Sequence, residues 1–169
     1  MKMNYLSKRD SMKLLNRIKS FNWGRDVEVG KVKKALKIEE DDFILYKIAG
    51  MILCEKNGVM FPTVHEEYNR EVLEKLPTLI VDMGAVPHIA NGADVMRPGV
   101  REFRGEFERG EILVVRDERN LKPLAIAVAL EHREKCESMV RGKIAENIHH
   151  VNDKIWKFIQ EHKRIIEKS

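Results

Sequence analysis

Cysteine is nearly missing from this chain: Cys54 and Cys136 are the only two among 169 residues. Two thiols so far apart make neither a disulfide framework nor a four-cysteine zinc site. Among apolar neighbours, both read as small core residues. Long apolar runs are missing too. None reaches the roughly 18 residues of a membrane span, and residues 1–6, MKMNYL, lack the hydrophobic segment of a secretory signal. The expectation is a soluble, cytoplasmic protein with no membrane partner. Catalytic signatures are equally scarce: HExxH, paired CxxC, Gly-x-Ser-x-Gly, the P-loop and the dinucleotide fingerprint are all absent. His149 and Asp153 stand four apart, but a zinc site needs at least a third protein ligand. No metal, cofactor or catalytic residue is expected, and Asp41-Asp42 reads as a turn.

Charge, by contrast, is abundant. Lys and Arg number 31 against 27 Asp and Glu, 34% of the chain with a net charge of +4. A surface laced with ion pairs explains the total. It does not explain the distribution. Residues 1–37 hold 11 basic and 3 acidic side chains, residues 38–76 hold 4 and 9, and the remainder 16 and 15. A basic segment opens the chain, the kind of charge asymmetry that favours nucleic acid.

Ser7-Lys8-Arg9-Asp10 has the form of a capping box. Leu14, Leu15, Ile18 and Phe21 follow at helical spacing and predict a helix ending at Trp23-Gly24. Residues 27–38 and 43–48 read as strands around an acidic turn, with Lys31, Lys33 and Lys37 alternating along one face of the first. Asn57-Gly58 is a two-residue hairpin signal, since both central residues must accept positive φ. It joins strands over 51–54 and 59–61. Val64, Tyr68, Val72 and Leu76 mark a short helix that stops before Pro77. Five of the ten glycines then fall between positions 84 and 110. Residues 79–81 read as strand, and 84–90 as a short helix with Pro87 in its first turn and Asn91-Gly92 as its stop. Arg97-Pro98-Gly99 reads as a turn, and 112–115 and 124–130 as buried strands. A helix over 134–140 and a strand over 143–149 precede a last helix, capped by Asn152 or Asp153, with an apolar stripe of Ile155, Trp156, Ile159 and Ile166. Phe103 and Phe107, set among charges, either cover one end of the second fold or mark a protein contact. The fold class is α+β, with a small N-terminal α/β domain over 1–76 and a second domain over 77–169.

Two stretches of the second domain, VDMGAVPHIANGADVMRPGV over 81–100 and RGKIAENIHHVNDKIW over 141–156, resemble the PUA domain. That RNA-binding module is named for pseudouridine synthases and archaeosine transglycosylases. The first stretch matches its strand, glycine-alanine turn, short helix, Asn-Gly-Ala-Asp and Pro-Gly-Val. The second matches its closing strand and helix start. The charged helix and small α/β portion upstream are similar in layout to the malignant T-cell-amplified-sequence and ligatin group. Its members pair with density-regulated protein and act on the small ribosomal subunit. The resemblance implies a pre-PUA domain followed by a PUA β pseudo-barrel with a C-terminal helix. It also implies structured RNA (tRNA or rRNA) as ligand, with the small ribosomal subunit and an initiation-factor-like protein as partners.

Carried onto this chain, the family's RNA-approach positions are Gly84, Ala85, His88, Asn91, Gly92, Ala93, Arg97 and Gly99. The residue types suit the task. Gly84 has no Cβ, so a phosphate can approach helix-opening amides, and Ala85 keeps that approach low. Arg97, Arg101 and Arg104 offer planar forks to phosphates and flat faces to unpaired bases. Arg141 and Lys143 stand where the closing strand begins. His88, behind Pro87, replaces the lysine-like residue of many relatives, which leaves Lys31, Lys33, Lys34 and Lys37 to supply charge. In the same pattern Asp153 caps the last helix and Trp156 closes the barrel. The expected function is non-catalytic RNA binding in translation. A protein adaptor for an initiation-factor-like partner, and an accessory subunit for tRNA or rRNA modification, are the alternatives.

Overall fold

In the computed structural model, which describes residues 1–28, 30–31 and 33–169, Ser7 opens the first helix as its position suggests. Its Oγ accepts the Asp10 amide at 3.0 Å, and α1 (Lys8–Lys19) buries Leu14, Leu15 and Ile18. An antiparallel sheet runs in the order β1 (Lys2–Tyr5), β2 (Leu36–Glu39), β3 (Ile44–Ile48), β4 (Met51–Lys56) and β5 (Val59–Pro62). Asn57 (φ 50°) and Gly58 (φ 78°) turn the β4–β5 hairpin in the left-handed region that a two-residue loop demands. α2 (Glu66–Lys75) follows. Contacts divide the chain into two units: Met1–Lys75 with Ile159–Ser169, and Leu76–Phe158.

Strand β2 is shorter than its sequence pattern. Of the expected strand 27–38, residues 29 and 32 lie outside the described ones, and among the rest only the last three are strand. The pairing partners run out at Leu36. It faces Tyr5, the last residue of β1, on one side and Lys47 on the other, just before the turn at Ala49-Gly50. Lys31, Lys33 and Lys34 therefore precede the strand. Of the expected lysine row only Lys37 lies on it, ion-paired with Glu39 at 3.2 Å.

The second unit comprises β6 (Thr78–Val81), α3 (Val86–Ile89), β7 (Val95–Met96), β8 (Val100–Arg104), β9 (Ile112–Asp117), β10 (Pro123–Ala129), α4 (Arg133–Ser138) and β11 (Lys143–His150). The strand order is β7-β11-β10-β9-β6-β8, with β6 and β9 parallel and the other pairs antiparallel. β7 and β8 are thus the two edges, yet only the turn Arg97–Gly99 separates them. Laid flat, edges five strand spacings apart would be about 24 Å from each other. A three-residue link reaches roughly half of that. The sheet must curl until its edges meet, and the result is the expected pseudo-barrel. Leu79, Val81, Leu113, Val115, Ala125, Ala127 and Ile144 fill it. Phe107 is buried in the same core with Phe103 packed beside it, ring centroids 6.4 Å apart, so the pair covers the core. Cys54 and Cys136 are both buried, as small core residues.

The chain ends in two helices where one was expected. α5 (Lys154–Glu161) and α6 (Lys163–Lys168) are separated at His162, whose φ of −109° and ψ of 17° interrupt the helical path. Residues 159–169 group with the first unit rather than with the rest of the expected 77–169 domain, and they bury Ile159 and Ile166 and make polar contacts to it. Lys47 Nζ donates to the Ile166 carbonyl at 2.7 Å, and Tyr68 Oη to Glu167 Oε1 at 2.7 Å.

Candidate functional site

The turn that opens α3 is organised by Asp82. The Ala85 amide donates to the Asp82 carbonyl at 3.0 Å and to its Oδ1 at 2.9 Å, while the Asp82 amide donates to Gly99 O at 2.9 Å. Gly84, Ala85 and Gly99 are thereby gathered, with the Ala85 methyl 3.2 Å from where a Cβ on Gly99 would stand. One feature differs from the sequence-based picture. Of the helix-opening amides expected to meet a phosphate, that of Ala85 is already held by a carboxylate of the protein, so side-chain cations must carry more of the attraction for an anion here. The signal was present: an Asp at the first position of a turn bonds an amide further along its own chain.

α3 exposes His88 and leads to Asn91, Gly92 and Ala93. The Gly92 and Ala93 amides donate to Ile89 O and His88 O, both at 3.0 Å. Gly92 has φ 96°, and a Cβ there would come within 3.2 Å of His150 Nε2, so two constraints select glycine. Asn147 on β11 clamps this corner. Its Nδ2 donates to Ile89 O (3.1 Å) and Ala93 O (3.0 Å), and its amide donates to Asp94 Oδ1 at 2.9 Å. Asp94 Oδ2 in turn receives Lys143 Nζ at 2.8 Å. Burial alone would raise the Asp94 carboxyl, but the hydrogen bonds from Lys143 and Asn147 hold it below its ordinary range. The same pair holds the Lys143 ammonium above its own. The sequence pattern contained Asn147 and Asp94 without assigning them a task.

The arginines separate. The Arg97 amide donates to Gly142 O at 2.8 Å, which seats β7 beside the 141–143 segment. Its guanidinium turns inward: Nη1 donates to Val100 O (3.2 Å), Nη2 to Glu137 O (3.3 Å), and Cζ lies 5.1 Å from the centre of the Phe103 ring. Arg97 braces the turn between the barrel edges, with those two nitrogens committed to carbonyls. Arg97→Lys, which cannot bridge two carbonyls with a planar fork, is expected to destabilise the second unit by about 1–2 kcal/mol. An unchanged urea midpoint would remove that bracing role. Arg101 pairs with Glu118 at 3.3 Å. Arg104 pairs with Glu102 and faces Thr78, at the end of β6 far from α3, so it is not gathered with the others. Arg141 and Lys143 are the exposed cations beside the α3 corner. Arg97 Nε and Asn147 Oδ1, both at this end, are buried with no hydrogen-bond partner, a cost that folds tend to concentrate at functional sites.

The PUA domain family matches residues 77–151. An uncharacterized protein of Methanocaldococcus jannaschii is 30% identical over 161 residues, which cover 93% of this chain and 96% of that protein. Translation machinery-associated protein 20 of Saccharomyces cerevisiae is 30% identical over 129 residues, covering 72% of this chain and 70% of its own. Among solved structures, a hypothetical protein of Pyrococcus horikoshii OT3 is similar over 93% of this chain and 99% of that one, with a TM-score of 0.76 and 31% identity.

Proposed function

Because this chain belongs to the family of translation machinery-associated protein 20 and the malignant T-cell-amplified sequence proteins, and carries a PUA domain, we propose that it is a non-catalytic RNA-binding protein of the cytoplasmic translation machinery. The α3 corner of the barrel grips structured RNA, a tRNA acceptor end or ribosomal RNA on the small subunit. The observation that carries this reading is the coincidence of the family match with an end of the barrel where Gly84, His88, Asn91, Ala93, Arg141 and Lys143 are all exposed. Arg141 and Lys143 neutralise phosphates, His88 and Asn91 meet bases or sugars, and the small residues at 84, 85, 92 and 93 let the backbone of RNA come close.

Each neutralised phosphate releases counterion, so four or five contacts give a log–log slope of affinity against salt of roughly −3 to −4. Arg141→Ala with Lys143→Ala is expected to weaken tRNA binding and make that slope about 1.5–2 shallower. Both outcomes are read by gel shift across a salt series. Unchanged affinity and slope in a folded double variant would remove this face. Recovery of a protein but no RNA from a high-salt pull-down favours instead the adaptor reading, with an initiation-factor-like partner.

A further inference from the structure

The first unit holds a concave site that the barrel reading does not use. In the sheet register Tyr5 of β1 faces Leu36 of β2, which faces Lys47 of β3. Directly opposed residues of antiparallel strands present their side chains on one face. The three therefore form a row: a buried Leu36, a half-buried Lys47 and a Tyr5 that is 56% exposed at the sheet edge. The chain entering β2 brings Lys31, Lys33 and Lys34 to the same place, all exposed and none in an ion pair among the described residues. Together these residues line a cavity of about 420 Å³, inside the roughly 300–1,000 Å³ range that encloses small ligands.

The charge of this cavity is not balanced from within. Among the described residues of its wall, Glu28 is the one acidic side chain against Lys31, Lys33, Lys34 and Lys47, and Ser169 also lines it. The Lys47 ammonium is anchored on Ile166 O at 2.7 Å and Ser169 O at 3.1 Å. Burial lowers its proton affinity, Glu167 opposes that, and the Lys33 charge lowers it further. Lysines placed only to keep a sheet edge soluble need no concavity and no aromatic ring beside them. A flat exposed ring next to several ammonium groups is the combination that holds unpaired nucleotides: bases stack on the ring and phosphates meet the charge.

We propose that this cavity is a single-stranded RNA subsite, in which the Tyr5 ring stacks on one unpaired base while Lys31, Lys33 and Lys34 neutralise the flanking phosphates. The inference rests on the reading of the chain as an RNA-binding protein, and it assigns the basic first unit its own share of the contact.

The full chain is titrated with a short fluorescein-labelled single-stranded oligoribonucleotide, and separately with tRNA, between about 50 and 200 mM salt. Tyr5→Leu keeps an apolar strand residue but removes the ring; it is expected to weaken oligonucleotide binding about tenfold with the salt slope unchanged, and Tyr5→Phe to bind as the parent does. Lys31→Ala, Lys33→Ala and Lys34→Ala combined are expected to make the slope about 2 shallower. These lysines are exposed and outside any strand, so the triple variant tests the site even if the Tyr5 variants misfold. Silence of both unit-one changes, while Arg141→Ala with Lys143→Ala still weakens tRNA binding, overturns the subsite and leaves the barrel reading standing. The reverse pattern supports the subsite and overturns the barrel face. A chain that binds tRNA but not the oligonucleotide sinks the subsite alone; one that binds neither sinks both.

Discussion

Asn69→Ala is expected to destabilise the first unit by about 3–5 kcal/mol. The reason lies in the end of the β4–β5 ladder. The regular register ends at Leu53 and Pro62, and the next pair keeps only one of its two backbone bonds, the Thr63 amide to Ile52 O at 3.2 Å. Asn69, only 1% exposed, takes over with its side chain. Its Oδ1 accepts the Ile52 amide at 3.0 Å, and its Nδ2 donates to Ile52 O at 2.8 Å, Thr63 O at 2.9 Å and Thr63 Oγ1 at 3.1 Å. One carboxamide thus imitates a strand residue and ties α2 to β4 and to Thr63, the residue that follows β5. The helix bends to permit it, with Asn69 at φ −121° and ψ 15°. Alanine would take the Asn69 partner from the buried Ile52 amide and the Thr63 carbonyl, while Ile52 O keeps the Thr63 amide, at about 1–3 kcal/mol for each group lost. Asn69→Asp should be no better, because it sets carboxylate oxygen against two carbonyls. Urea unfolding reads the loss as a midpoint lowered by about 1.5–3 M for a typical slope, and hydrogen exchange at the Ile52 amide reads it locally. A shift below about 1 kcal/mol would show that water replaces the side chain, as it can at a roomy polar site.

What the sequence revealed depended on whether its signal was local. The Ser7 cap, the Asn57-Gly58 hairpin and the Asp153 cap each involve residues within three or four positions, and each stands where the pattern put it. The apolar runs of β9 and β10 are equally plain, because both faces of those strands are buried. β1 had no such signal. All four of its residues are exposed, so there is no alternation between a wet and a dry face to read. The over-long β2 failed for the opposite reason: the alternation runs on before Leu36, where the described residues pair with no neighbouring strand. The candidate site divides along the same line. Its glycines and small residues were legible as a tight exposed corner. The inward turn of Arg97 was not, since its partner Glu137 O lies 40 positions away. Nor does composition reveal that Tyr5 and Lys47 share a row, which only the pairing of three strands establishes.

Asp153→Ala is expected to cost the second unit about 3–4 kcal/mol, and Asp153→Asn about 1–2 kcal/mol together with much of the unit's sensitivity to acid. The carboxylate accepts three donors at once: His149 Nδ1 at 2.9 Å, the His150 amide at 2.9 Å and the Trp156 amide at 2.8 Å. It ends β11 and begins α5 in a single residue. Burial pushes its carboxyl up, but the hydrogen bond and charge of His149 and the two amides outweigh that and hold it below the usual carboxylate range. A carboxyl depressed in the folded state contributes stability that is complete above its unfolded value, near pH 4, and is lost as pH falls through the lower folded value. Asp94 and Asp117 are displaced the same way, so all three weaken the unit on the acid side. Asparagine keeps an oxygen for the Trp156 amide but has no proton to gain. Its variant should therefore start less stable at neutral pH and lose stability more slowly below pH 4. Parallel acid limbs for parent and variant would assign the acid sensitivity to Asp94 and Asp117 instead. Because Lys143 and Asn147 sit on the strand that Asp153 terminates, Asp153→Ala should also loosen the α3 corner. Asp153→Asn, folded at neutral pH, should bind tRNA as the parent does.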